Sequence, residues 1–254
     1  EDTKFFLTVP DVSVRENLEF PEIVNSSEFH RKDNIFQKSL PRALGIITNS
    51  EIIKKRISFF YRVLEERIFV ISHQPSSSIS NFNDIKKSKQ DEIRKKFQLP
   101  KNYIFYPSMY LPHKNHVTII DALKILKSEK NFGNLKVVCC GNDIGYLKNL
   151  KKYCEQQNLT KDILFLDFVS DDYLPYLYID SAILLMPSLI GPTNIPPWEA
   201  FKMNKPVIYS DLPGIRDVLG DAVHYVKPMN PREIAQAVKK ILQDSNYKND
   251  LIKK

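Results

Sequence analysis

The chain has 254 residues, of which 43% are hydrophobic and 26% charged, a balance that supports one large or two ordinary globular domains with a buried core. No stretch approaches the ~18 consecutive apolar residues of a membrane-spanning helix, and nothing after Glu1 reads as a basic-then-apolar secretory leader. A net charge of +7 admits anionic partners without choosing among nucleic acid, a membrane surface and phosphate-bearing substrates.

In chain order, residues 5–9 (FFLTV) read as a strand, 15–25 as a polar, Pro-containing loop, 26–44 as a helix and 45–48 (GIIT) as a second strand. A helix over 51–61 and a strand over 67–72 (RIFVIS) continue the alternation expected of a parallel sheet. About three strands are too few for an independent open sheet, so residues 1–75 read as the remnant of a truncated α/β domain. The segment 75–89 (PSSSISNFNDIKKSK) has no helical stripe, and 76–90 is expected to be a linker. Lysines cluster over 86–96 among acids and without aromatics, which favours a solvated helix face and speaks against a platform for single-stranded nucleic acid.

The alternation restarts in residues 91–254, with strands over 103–106, 135–140, 163–166, 182–186 and 206–210. Between them fall helices over 117–128, 146–157 and 173–178 and one opening near Trp198, the pattern of a doubly wound Rossmann-like domain. Asn230-Pro231-Arg232-Glu233 is a helix start, with an N-cap, Pro at the first helical position and a capping-box Glu, and the helix is expected to run to about Asp244. Cys139 and Cys140 sit inside an apolar run and, with Cys154, make an odd count, as expected of buried thiols in a reducing, cytoplasmic compartment.

Ligands of open α/β sheets bind beyond the carboxyl ends of the strands, so the loops after Tyr106, Cys140, Met186 and Ser210 are the candidate site. Only seven glycines occur and none forms a GxGxxG or Walker A loop, so an anion here must use helix N-termini and side chains. After Met186, two prolines open a helix in which Thr193 and Asn194 offer donors at the entrance, and Glu199 is placed to accept from a ribose diol. Alone, Glu199 would as readily be an acid complementing the helix dipole. The histidines form no pair at ligand spacing, so no metal is required. His116 reads as a residue of a helix start at least as well as a contact.

The stretch GPTNIPPWEAFKMNKPVIYSDLPGIRDVLGDA resembles the donor-binding signature of retaining family-four glycosyltransferases, which have the GT-B fold. The loop 106–116 (YPSMYLPHKNH) is similar to that family's strand-end loop, and Cys140-Gly141-Asn142-Asp143 is a weaker match. Upstream, Val9-Pro10-Asp11, Phe20-Pro21-Glu22 and 47–51 (ITNSE) resemble the later part of the acceptor-side domain. The resemblance implies that Glu199 binds the ribose of an NDP-sugar, that Lys114 meets its pyrophosphate, and that Gly141 leaves room for the nucleotide. The donor-binding set is then Ser108, Lys114, Gly141, Thr193, Asn194, Ile195 and Glu199, with catalytic acceptor-side residues unassigned.

The implied activity is a retaining hexosyl transfer to a glycan or lipid-linked acceptor in polysaccharide assembly. It implies no cofactor, no nucleic-acid partner, and room for a peripheral contact at the inner face of a membrane. In this architecture the 254 residues would bind donor without transferring it. Two departures from the family pattern stand out: Gly191 replaces the first of two Glu, and Met109 replaces an Arg. They leave open a non-catalytic partner with a donor-domain fold, and the GT-B architecture also admits a sugar-nucleotide epimerase.

Overall fold

The structure is a computed structural model that describes residues 3–24, 27–82, 86–191 and 194–254. It divides into two compact units. The first comprises Glu1–His73 together with Ile190–Asn194 and Leu212–Val218, and the second comprises the remainder.

The first unit contains β1 (Phe6–Thr8), α1 (Ser13–Glu16), α2 (Pro21–Val24), α3 (Ser27–Ser39), β2 (Gly45–Thr48), α4 (Glu51–Tyr61) and β3 (Ile68–Val70). Its strands form a parallel sheet in the order β1-β2-β3. Ile46 and Ile68 point from the sheet into a core with Val9, Leu40, Ile53 and Ile57. The expected polar loop of 15–25 instead holds most of α1 and α2, single turns too short to carry a periodic signal. The expected helix over 26–44 ends as an α-helix at Ser39, before Pro41, and a 3-10 turn follows over Leu40–Arg42.

The second unit opens with α5 (Ser77–Ser80) and α6 (Lys87–Phe97). The stretch 76–90 therefore carries helical structure of its own. Ile79 is fully buried, and Arg94 of α6 grips Asp180 through paired hydrogen bonds of 2.6 and 2.5 Å. Its low apolar content concealed this packing from the sequence.

There follow β4 (Tyr103–Pro107), α7 (His116–Lys127), β5 (Val137–Cys140), α8 (Leu147–Gln156), β6 (Ile163–Leu166), α9 (Leu174–Asp180), β7 (Ser181–Met186) and α10 (Pro196–Lys202). The chain ends with β8 (Val207–Ser210), α11 (Ile215–Leu219), β9 (His224–Val226), α12 (Pro231–Gln243) and α13 (Ser245–Lys253). The all-parallel sheet runs β6-β5-β4-β7-β8-β9. Its central strands are buried on both faces, as continuous runs such as VVCC and VIYS require.

Asn230 caps α12 by accepting from the Glu233 N–H at 3.2 Å, while the Glu233 carboxylate accepts from the Lys227 N–H and the Asn230 side-chain amide, the Asn230 backbone N–H donating instead to the Lys227 carbonyl. Among the described residues no helix is long and apolar enough to cross a membrane.

Candidate functional site

The sheet of the second unit reverses its winding between β4 and β7, because β5 and β6 lie on one side of β4 and β7 to β9 on the other. Loops leaving the carboxyl ends of such a strand pair diverge and open a crevice, the usual ligand position in this architecture. The loop after β4 carries Ser108 and Lys114, and the chain after β7 leads to Glu199.

Lys114 is half-buried at the end of a 3-10 turn. Its backbone carbonyl accepts from the Tyr106 hydroxyl at 2.8 Å. The neighbouring His113 carbonyl accepts from the Leu189 N–H, also at 2.8 Å. Asn115 adopts the left-handed conformation (φ 58°), and its side-chain amide donates to the carbonyls of Pro187 and Pro228 at 2.9 and 2.8 Å. One buried amide thus ties the Lys114 loop to the segments after β7 and β9. Asn115 lies inside the matched loop 106–116, but of its role the sequence shows no more than the tolerance of Asn for positive φ.

His116 follows at the first position of α7, where it is 1% exposed and packed against the rings of Tyr106 and Tyr110 at 4.8 and 5.2 Å. Neither ring nitrogen has a hydrogen-bond partner among the described residues. Burial, reinforced by Lys114 and His113, pushes its pKa down to about 3. His116 is a neutral packing residue and not a contact group.

Gly141 owes its size to protein backbone. A Cβ there would lie 2.3 Å from the Ser108 carbonyl oxygen and 2.8 Å from the Met109 nitrogen. The Ser108 N–H donates to the Cys140 carbonyl at 2.8 Å, so the strand-end loops after β4 and β5 continue the sheet's pairing past its edge. Gly141 is thus brought against Ser108, with the space of its missing side chain already filled by the Ser108 loop. Met109 is 39% exposed.

Glu199 lies in the first turn of α10 but is only 5% exposed, so it is not a solvated acid complementing the helix dipole. Its Oε2 accepts from the Tyr178 hydroxyl at 2.8 Å. Its charge also reaches the end of β5: the Cys140 thiol is raised to about 12, by burial first and by Glu199 second. Tyr178, 21 positions earlier and across β7, could not be linked to Glu199 by sequence spacing.

Ile195 precedes α10, is 42% exposed, and its carbonyl accepts from the Trp198 and Glu199 N–H groups. Asn194 is half-buried and belongs with the first unit, whereas Thr193 lies outside the described residues.

A sequence profile of glycosyl transferases group 1 matches residues 89–254. The O-antigen chain mannosyltransferase RfbU of Salmonella typhimurium is 31% identical over 224 residues, covering 85% of this chain and 58% of that protein. The chain therefore spans less than two thirds of that relative's length. Among solved structures, Anabaena Alr3699/HepE in complex with UDP and glucose superposes with a TM-score of 0.77 at 18% identity, over 98% of this chain and 65% of that one. WaaG, a glycosyltransferase involved in lipopolysaccharide biosynthesis, gives 0.79 at 15% identity, over 98% and 68%.

Proposed function

The chain belongs to the glycosyl transferases group 1 family and has the GT-B fold, and from that premise we propose that it is the donor-binding part of a retaining glycosyltransferase of polysaccharide assembly. The reading is supported most by one observation: a carboxylate, Glu199, is held almost out of solvent against Tyr178 on the chain that follows β7, while Lys114 lies on the loop that follows β4, the two strands at which the winding reverses.

The donor is an NDP-sugar, and the 31% identity to an O-antigen mannosyltransferase favours a mannosyl or related hexosyl group. Glu199 accepts from the ribose diol and Lys114 meets the pyrophosphate. Ser108 and Gly141 form the adjoining strand-end wall, and Asn194 and Ile195, which precede α10 in the chain, add donors together with Thr193 of the same motif. As the sugar departs, negative charge grows on the β-phosphate. Lys114 and the N-terminus of α7 stabilise that charge by fixed electrostatics, and the residues assigned here need no metal.

Residues 1–75 take the acceptor side, towards a glycan or lipid-linked acceptor at the inner face of a membrane. A calorimetric panel of NDP-sugars that includes GDP-mannose and UDP-glucose tests the reading. Binding that Glu199→Ala and Lys114→Ala each weaken supports it, and no binding by any NDP-sugar overturns it.

A further inference from the structure

Glu199 can meet a ribose only if its carboxylate is held in one orientation, and Tyr178 is built to hold it. We propose that Tyr178 is a positioning residue for the nucleotide's ribose, fixing the Glu199 carboxylate through Oε2 and presenting the other oxygen to the diol. The inference rests on the assignment of Glu199 to the ribose.

Three features carry it. Tyr178 is completely buried, and its hydroxyl reaches Glu199 Oε2 at 2.8 Å, against 3.4 Å to the Pro196 carbonyl. A phenol has one proton to donate, and the shorter, charge-assisted bond takes it. The ring and the backbone that carries it are also held in place. Phe105 of β4 meets it edge-on at 5.0 Å, the Ser181 hydroxyl donates to the Tyr178 carbonyl at 2.8 Å, and the Tyr103 hydroxyl donates to the Leu177 carbonyl at 2.6 Å.

Burial and the neighbouring Glu199 charge also hold the phenol well above its ordinary pKa, so it remains a donor throughout the physiological range. A hydroxyl that served only to satisfy itself could have used a backbone carbonyl, as the Tyr103 hydroxyl does. Here it is directed at the buried carboxylate of Glu199.

The test uses whichever of UDP and GDP binds the parent chain more tightly, together with its 2′,3′-dideoxy counterpart, which lacks the diol. Calorimetry is run on the parent, Y178F, E199Q and the double variant, with Y103F as a control for loss of a buried phenol. Y178F is expected to weaken the ribonucleotide roughly three- to tenfold, the size of one lost hydrogen bond, and to leave the dideoxy ligand unchanged. The double variant should bind no worse than E199Q, because Tyr178 acts through Glu199.

If E199Q selectively weakens the ribonucleotide while Y178F weakens both ligands alike or neither, the role of Tyr178 is refuted and the ribose assignment stands. If E199Q itself fails to distinguish the two ligands, or neither diphosphate binds, the assignment falls and the inference with it. Phe105→Leu loosens the ring's seat but keeps the hydroxyl, and covers the case in which Y178F does not fold. It should give a weaker, still diol-selective loss, and an equal loss for both ligands would overturn the proposal.

Discussion

Replacing Gly141 with Ala tests whether the strand-end wall of the site is built as described. The added methyl would fall 2.3 Å from the Ser108 oxygen, 2.5 Å from its carbonyl carbon and 2.8 Å from the Met109 nitrogen. All three are backbone atoms, so no side-chain rotation relieves the clash. The Ser108–Cys140 and Tyr110–Asn142 hydrogen bonds, at 2.8 and 3.0 Å, resist separation of the two loops. Overpacking of this kind costs about 1–3 kcal/mol, and each kcal/mol lowers the melting temperature of a chain this size by ~2–4 °C.

Gly133→Ala is the control, since the nearest atom to its added carbon is 3.9 Å away. Thermal melts followed by circular dichroism, paired with calorimetric titration of an NDP, should show G141A less stable and weaker in binding, with G133A close to the parent. A G141A protein that melts and binds like G133A would refute the proposed close approach of the two loops.

Further outcomes follow from the same geometry. Lys114→Ala should lower affinity for a nucleoside diphosphate by ~1.5–3 kcal/mol and barely change that for the bare nucleoside, and calorimetry with both ligands would expose equal losses as a contradiction. Glu199→Ala should weaken every NDP that binds the parent by ~1–3 kcal/mol while the fold survives, and an unchanged affinity would remove Glu199 from the site. His116, held at a pKa of about 3 against an ordinary 6.5, takes up its proton more readily when the chain is unfolded. Its contribution to stability is therefore complete above pH 6.5 and is lost as the pH falls towards 3, with a slope of up to ~1.4 kcal/mol per pH unit. His116→Phe keeps the ring packing, so urea unfolding across that range should show a flatter acid limb, and an unchanged slope would contradict the assignment.

The sequence carried the fold wherever burial imposes a pattern. Ile119, Ile120, Leu123 and Leu126 mark the buried face of α7, and VVCC, VIYS and the Asn230-Pro231 start locate β5, β8 and α12. It did not carry elements whose residues need little burial of their own. α11 is five residues long, β9 three, and α13 is a polar helix with Leu251 as its buried anchor.

Motif spacing singled out Lys114, Gly141 and Glu199 as candidates, but it did not show why residue 141 must be small, because the Ser108 backbone that fills its space is 33 positions away. The partners of Asn115 and Tyr178 were invisible for the same cause: they are 72 and 113 residues distant from Asn115 and 21 from Tyr178, and only the folded chain brings them near.

The most direct measurement is a thermal-shift series of the parent and the Lys114→Ala/Glu199→Ala double variant with GDP-mannose, UDP-glucose and other NDP-sugars. A donor at a hundred times its dissociation constant adds ~2.7 kcal/mol to the folded state. The account predicts that at least one NDP-sugar raises the parent's melting temperature and that the double variant, folded and unshifted, loses the response. A parent that no NDP-sugar stabilises, or a double variant that responds as the parent does, would contradict it.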